Sequence, residues 1–193
     1  MTTMAKQKPG YGPPAPVAVF QWQEEFDQLL DLYRARQPQH VLEIGTYHGG
    51  TLYHWLRNAL KGATIVSVDS YKAGPDNRTL YPDWTPAGVR LVTIQGDSHD
   101  TKTITKVKAH APYDWVWIDA GHRYNEVRKD WEAYGHMVSE GGLVCFHDIL
   151  PASRQHPDIE VSRLWQELKD AGYTTQEIIG TSIEWGGIGI VFP

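Results

Sequence analysis

Ten residues, Val41-Leu-Glu-Ile-Gly-Thr-Tyr-His-Gly-Gly50, constrain this chain more than any others. An apolar, β-prone run (Val41, Leu42, Ile44) ends in a turn holding Gly45, Gly49 and Gly50. Leu52, Trp55, Leu56 and Leu60 then follow at helical spacing. The pattern predicts a strand, a glycine turn and a helix. In a doubly wound sheet such a turn lets a ligand approach bare backbone at a helix N-terminus. The G-x-x-x-G-G spacing is not the dinucleotide fingerprint, and no Lys-Ser/Thr follows as in a phosphate-binding P-loop. A nucleoside is therefore the expected ligand.

The length of 193 residues suits one domain with a proper core. The net charge of −5, with no basic block, argues against a nucleic-acid partner. The single cysteine, Cys145, excludes an intrachain disulfide framework and a cysteine zinc site. No apolar run approaches a membrane span, and the N-terminus lacks a signal-peptide core. The expectation is a cytoplasmic protein with no membrane partner. Whether it forms a homo-oligomer is left open.

Residues 1–20, rich in Pro, Gly and Lys, are expected to form a flexible N-terminal arm ahead of a single domain over 21–193. A lid over the active site is the alternative role for that arm. A first helix is expected over about 22–35, then strand one at 40–44, a helix over 50–61 and strand two at 63–69. Asp69 ends that strand twenty residues beyond Gly49, where a carboxylate faces ribose hydroxyls, with Ser70 beside it. The loop 71–88 carries too many prolines for a crossover helix, so Tyr71, Tyr81 and Trp84 either cover substrate or pack on the sheet edge. Strand three (89–94) leads into Asp97 and Ser98, placed to meet an adenine amine. A helix N-cap at Ser98 or Asp100 is the competing reading. Strand four spans 113–119, and its Trp115 and Trp117 read as core. Glu140-Gly141-Gly142 reads as a stop before strand five (143–148). A helix around Val161–Leu168 and two closing strands, 173–179 and 188–192, complete the chain.

A β/α alternation that ends in two adjacent strands resembles the class I S-adenosylmethionine-dependent methyltransferases. Glu43-Ile-Gly-Thr-Tyr-His-Gly49 resembles their first motif, Glu/Asp-x-Gly-x-x-x-Gly. The order then continues through Asp69, Gly96-Asp97-Ser98, Ile118-Asp119-Ala-Gly-His122 and His147-Asp148. The resemblance covers the chain from about residue 40 to its end. It implies an α/β fold: a doubly wound, mostly parallel, seven-stranded Rossmann-like sheet with a C-terminal antiparallel hairpin. It also implies S-adenosyl-L-methionine as cofactor. Glu43, Gly45, Thr46, Tyr47, Gly49, Asp69, Ser70, Asp97, Ser98 and Asp119 are the cofactor-binding positions.

Asp119 and Asp148 each close a strand, and those strands are neighbours in this fold, so their carboxylates converge. Converging like charges need a proton or a cation between them. Oxygen ligands with open positions suit Mg²⁺, with Ca²⁺ or Mn²⁺ as alternatives. His147 joins the ligand set only if the strand has already ended, since alternation otherwise points it to the opposite face. Ile118-Asp-Ala-Gly-His-Arg-Tyr124 resembles the Asp-x-x-His-x-Tyr motif of cephalosporin hydroxylase-like methyltransferases, and is similar to that of metal-dependent enzymes acting on catechols and macrolide sugars. It departs from the catechol pattern at His122 (there a lysine), at Gly121 (a second acid in many relatives) and at His147-Asp148 (there Asp-Asn). His122 is the expected general base, because an imidazole accepts a proton near neutral pH. The expected activity is metal-assisted O-methylation of a small-molecule methyl acceptor: a sugar, natural product or phenol. The rivals are a nicotinamide-dependent oxidoreductase and a non-catalytic accessory protein that keeps the fold.

Overall fold

The apolar runs become seven strands of one sheet. The computed structural model describes residues 15–72, 76–151, 153, 156–181 and 185–193. Of the expected N-terminal arm, residues 1–14 lie outside the described residues. Ala15 and Val19 are buried against the body of the protein. Helix α1 (Gln23–Arg36) precedes β1 (His40–Ile44), and α2 (Gly50–Asn58) leads to β2 (Thr64–Asp69). A 3-10 turn (Arg78–Leu80) and the single-turn α3 (Tyr81–Trp84) precede β3 (Arg90–Gln95). Then come α4 (Thr101–Lys108), β4 (Tyr113–Ile118), α5 (Tyr124–Tyr134), β5 (Val138–His147), α6 (Val161–Asp170), β6 (Thr174–Ile178) and β7 (Ile188–Phe192).

The strand order is β3-β2-β1-β4-β5-β7-β6. The first five strands are parallel, and β7 runs antiparallel between β5 and β6. Residues of alternate parity enter two separate cores, as the two-residue period of a strand requires. Leu42, Ile44, Val66, Val116, Ile118, Val144 and Phe146 pack with α5 and α6. Val41, Ile65, Trp115, Trp117, Leu143 and Cys145 pack with α1 and α2. Trp115 and Trp117 are wholly buried, as their place on a central strand implied.

Two local readings are corrected. Gly141 and Gly142 do not stop the chain before β5, which begins at Val138 and runs through them. The pairing with β4 shifts register between Tyr113 and Trp115, and Gly141 takes φ 76°. The glycines form a bulge, which inserts residues without ending the strand. At the other end, β5 stops at His147, and Asp148 adopts φ 63°. Aspartate tolerates this left-handed conformation better than most residues.

The chain reverses winding direction between β1 and β4. In open α/β sheets the ligand crevice opens there, beyond the carboxyl ends of the strands. Asp69, Asp97, Asp119 and Asp148 reach that rim, and Glu43 does not.

Candidate active site

The glycine turn is built from the inside. Gly45 (φ 89°) donates its N–H to the Val68 carbonyl at 2.9 Å, and Asp119 donates to Ile44 at 2.9 Å. A Cβ on Gly45 would overlap the Asp119 backbone, so the β1 and β4 ends can approach only with glycine here. Glu43 is fully buried beneath the turn. Its Oε1 accepts from Thr51 Oγ1 (2.6 Å) and Trp55 Nε1 (3.0 Å), and its Oε2 accepts from Thr46 Oγ1 (2.9 Å). Burial pushes its carboxyl up to about 8. Glu43 therefore does not meet the cleft as expected from the motif. It ties β1 to the turn and to α2. Gly49 also faces away from the cleft, against Trp84 and Tyr81. Tyr81 and Trp84 thus pack beneath the turn, and among the described residues Ser70 and Lys72, on either side of Tyr71, line the cleft.

Asp69 lines the cleft and also holds the turn. Its Oδ2 accepts from the Thr46 (2.9 Å) and Tyr47 (2.7 Å) amides, and its Oδ1 accepts from Tyr71 at 2.5 Å. Farther along the rim, Asp97 Oδ1 accepts the His99 amide at 2.9 Å, while the Ser98 carbonyl accepts from Tyr134 Oη. Asp100 is the α4 N-cap residue, without a side-chain cap bond. His99 lines the cleft as well, with its Nε2 3.2 Å from Asp130 Oδ1. Asp130 is wholly buried, and desolvation pushes its carboxyl up to about 6.

At the β4 and β5 ends the acids converge as expected, with a different histidine in the set. Among the described residues, Asp119, His122 and Asp148 each bring a donor atom within 4.8 Å of the others. His122 Nδ1 lies 2.9 Å from Asp148 Oδ2. That hydrogen bond raises the imidazole above its ordinary value. His147 is buried, and its Nδ1 sits 3.4 Å from Asp119 Oδ1 and 3.5 Å from Asp148 Oδ2. Burial alone would push this imidazole down, but the Asp148 and Asp119 carboxylates overcome it and carry it up to about 9. Burial likewise pulls Asp148 up, and the His147 and His122 rings hold it below the usual carboxylate range. His147 thus borders both carboxylates, while the three donors that meet within 4.8 Å are those of Asp119, His122 and Asp148. The left-handed turn at Asp148 is what brings both neighbours to one side.

The donors suit a hard divalent cation. Two carboxylates and an imidazole cluster at one point, and Asp148 Oδ1 is buried with no hydrogen-bond partner. The cleft encloses about 860 Å³, ample for a nucleoside and a small acceptor.

Residues 42–149, more than half of the chain, match the family model described as a methyltransferase domain. The chain belongs to that family. No curated protein matches it at a significant level. Among solved structures, the O-methyltransferase of Bacillus cereus in complex with S-adenosylhomocysteine is 19% identical, with a TM-score of 0.62 over 88% of this chain and 80% of that one. TomG of Streptomyces achromogenes, an O-methyltransferase of tomaymycin synthesis in complex with S-adenosylmethionine, is 17% identical, with a TM-score of 0.63 over 88% and 78%. MycE from the mycinamycin pathway, in complex with Mg, S-adenosylhomocysteine and mycinamycin VI, is 23% identical, with a TM-score of 0.56. The alignment covers 86% of this chain and 47% of MycE, so the chain spans about half of that protein. These likenesses establish a shared fold.

Three residues facing the cleft of this methyltransferase domain carried no signal in the sequence. Gln21 donates its Nε2 to Asp119 Oδ2 at 2.6 Å from 98 positions away. His156 and Trp185, with ring centroids 4.5 Å apart, close the far wall. All three come from segments without periodicity, so neither spacing nor motif could find them. Among the described residues, no helix is long and apolar enough to cross a membrane.

Proposed function

We propose that the protein is an S-adenosylmethionine-dependent O-methyltransferase that acts, with a divalent cation, on a small hydroxylated molecule. The observation that carries this reading is the Asp148–His122 pair, 2.9 Å apart, on the same cleft as the glycine turn of a methyltransferase domain. S-adenosylmethionine supplies a methyl group on a sulfonium; transfer forms the acceptor C–O bond, breaks the C–S bond and returns that electron pair to sulfur. Gly45, Thr46, Tyr47, Asp69 and Ser70 would hold the ribose and amino-acid portions, and Asp97 and Ser98 the adenine. Asp119 and Asp148 would hold the cation, which lowers the pKa of a hydroxyl bound to it.

The chain's own work is alignment and removal of one proton. With Nδ1–H donated to Asp148 Oδ2, the His122 ring is fixed and its Nε2 lone pair is available. That nitrogen takes the acceptor's hydroxyl proton as the C–O bond forms. His122 has 44% of its side chain exposed, so it can reach an acceptor arriving from the open side. Alignment of oxygen, methyl and sulfur can contribute about 7–11 kcal/mol in favourable cases.

Calorimetry and thermal melting test the cofactor. S-adenosylmethionine or S-adenosylhomocysteine at about 100 times its Kd should stabilise the fold by about 3 kcal/mol. Absence of heat or stabilisation at millimolar ligand overturns the reading. The cation is tested separately by chelation, which should abolish methyl transfer to the accepted substrate. If turnover and melting survive chelation, and Asp119→Ala stays active, cation assistance is wrong.

A further inference from the structure

Gln21 is the odd residue of the site. It lies just ahead of α1 and is only 3% exposed. Its Nε2 meets Asp119 Oδ2 at 2.6 Å, while its Oε1 is buried with no hydrogen-bond partner. A buried acceptor left without a partner keeps its desolvation penalty uncompensated. The second carboxylate has a similar defect, since Asp148 Oδ1 is also buried and unpaired. Two unsatisfied buried oxygens therefore belong to residues lining the cleft in which Asp119, His122 and Asp148 converge.

The segment that carries Gln21 is firmly seated. A Cβ on Gly50 would overlap the Ala18 backbone, so the segment lies directly on the start of α2. Val19 is buried, and Phe20 packs on Tyr47 and His48 with ring centroids 5.3 and 5.4 Å apart. The amide head group can thus exchange its two ends without backbone movement. Nitrogen and oxygen of a side-chain amide occupy nearly the same shape. Facing a bare carboxylate, the N–H end is favoured. Facing a cation held by that carboxylate, the oxygen end is favoured.

We propose that Gln21 is an oxygen ligand of the divalent cation held by Asp119 and Asp148, which anchors the segment ahead of α1 to the reaction centre. The inference rests on the cation-assisted reading above. The head group is within reach: its Nε2 stands 2.6 Å from Asp119 Oδ2, and exchanging the ends of the amide brings its oxygen to the side of that carboxylate. The charge fits as well. A neutral amide adds a ligand oxygen beside the two carboxylates without adding negative charge. A Gln21 that served only as a hydrogen-bond donor to Asp119 would also support cation affinity, but its replacement by glutamate would then weaken binding, where a ligand role predicts retained or tighter binding.

Binding of Mn²⁺, read from the electron paramagnetic resonance of the free ion with S-adenosylhomocysteine present, tests the proposal. Gln21→Met, close in shape but without the amide, should weaken Mn²⁺ binding by about tenfold or more. Gln21→Glu should bind Mn²⁺ at least as tightly as the wild type. In chelator it should melt lower, because a third carboxylate then meets Asp119 with no ion between them. Wild-type affinity in Gln21→Met, or weaker binding in Gln21→Glu, overturns the role of Gln21 alone. A wild-type protein that takes up S-adenosylhomocysteine but no Mn²⁺ overturns the cation reading, and this inference with it. Should Gln21→Met not fold, the Gln21→Glu comparison decides.

Discussion

Replacing His122 by alanine should lower the methyl-transfer rate by about 10²–10⁴-fold, the usual contribution of a positioned general base. S-adenosylhomocysteine affinity should stay close to wild type, because in the proposed role the ring meets the acceptor and not the cofactor. The geometry behind this expectation is specific. Asp148 Oδ2 accepts from Nδ1 at 2.9 Å, which fixes the tautomer and leaves Nε2 as the basic atom. Asp148→Asn should therefore also slow turnover, by loosening the same imidazole and by removing a cation ligand. The double variant should be little worse than the slower single one, since residues acting as a unit are not additive. Steady-state kinetics on the three variants, with melting temperatures as a folding control, check the expectation. A well-folded His122→Ala protein that keeps wild-type turnover would remove the base from the mechanism.

The second large effect is on stability and belongs to Glu43. Glu43→Ala should destabilise the fold by several kcal/mol, because it leaves Thr51 and Trp55 as buried donors without an acceptor, each worth about 1–3 kcal/mol, and opens a cavity beneath the turn. Glu43→Gln should fold well. The amide oxygen can accept from Thr51 and Trp55, and its N–H can donate to Thr46 Oγ1, which shares a 2.5 Å hydrogen bond with Ser67 Oγ.

A pH dependence follows from the same residue. The carboxyl titrates at about 8 in the folded protein against 4.5 ordinarily, so between those values the folded state holds a proton that the unfolded state has lost. The stabilisation is complete below about pH 4.5 and fades as pH rises through about 8. At about 1.4 kcal/mol per pH unit, the loss is on the order of 5 kcal/mol. Urea midpoints between pH 5 and 8.5 should fall for the wild type and stay flatter for Glu43→Gln. Parallel curves for the two proteins would show that Glu43 is ionised throughout.

Much of the architecture was legible because it is written in local periods. Alternating apolar residues mark the strands, and the helical spacing of Leu52, Trp55 and Leu56 marks α2. The last two strands stand side by side in sequence with no room for a crossover helix. Gly45 was legible too, since a strand that turns sharply into a helix calls for a residue without Cβ. The Asp119 and Asp148 pairing followed from topology alone, because β4 and β5 are neighbours whose ends share one rim.

The tertiary structure decided matters that depend on single dihedrals and distant segments. One left-handed residue at Asp148 ends β5 and turns His147 between the two acids, while His122 joins them from the following loop. The motif acid Glu43 lies in a strand buried on both faces, so it meets Thr51 and Trp55 and not the cleft. The bulge at Gly141 kept a strand running where the residue types suggested a stop. Gln21 reached Asp119 only because a bare Gly50 let the preceding segment lie across α2. Local periodicity holds no information on such contacts. They arise where chain ends and loops meet above a sheet, and only the packed whole brings those atoms together.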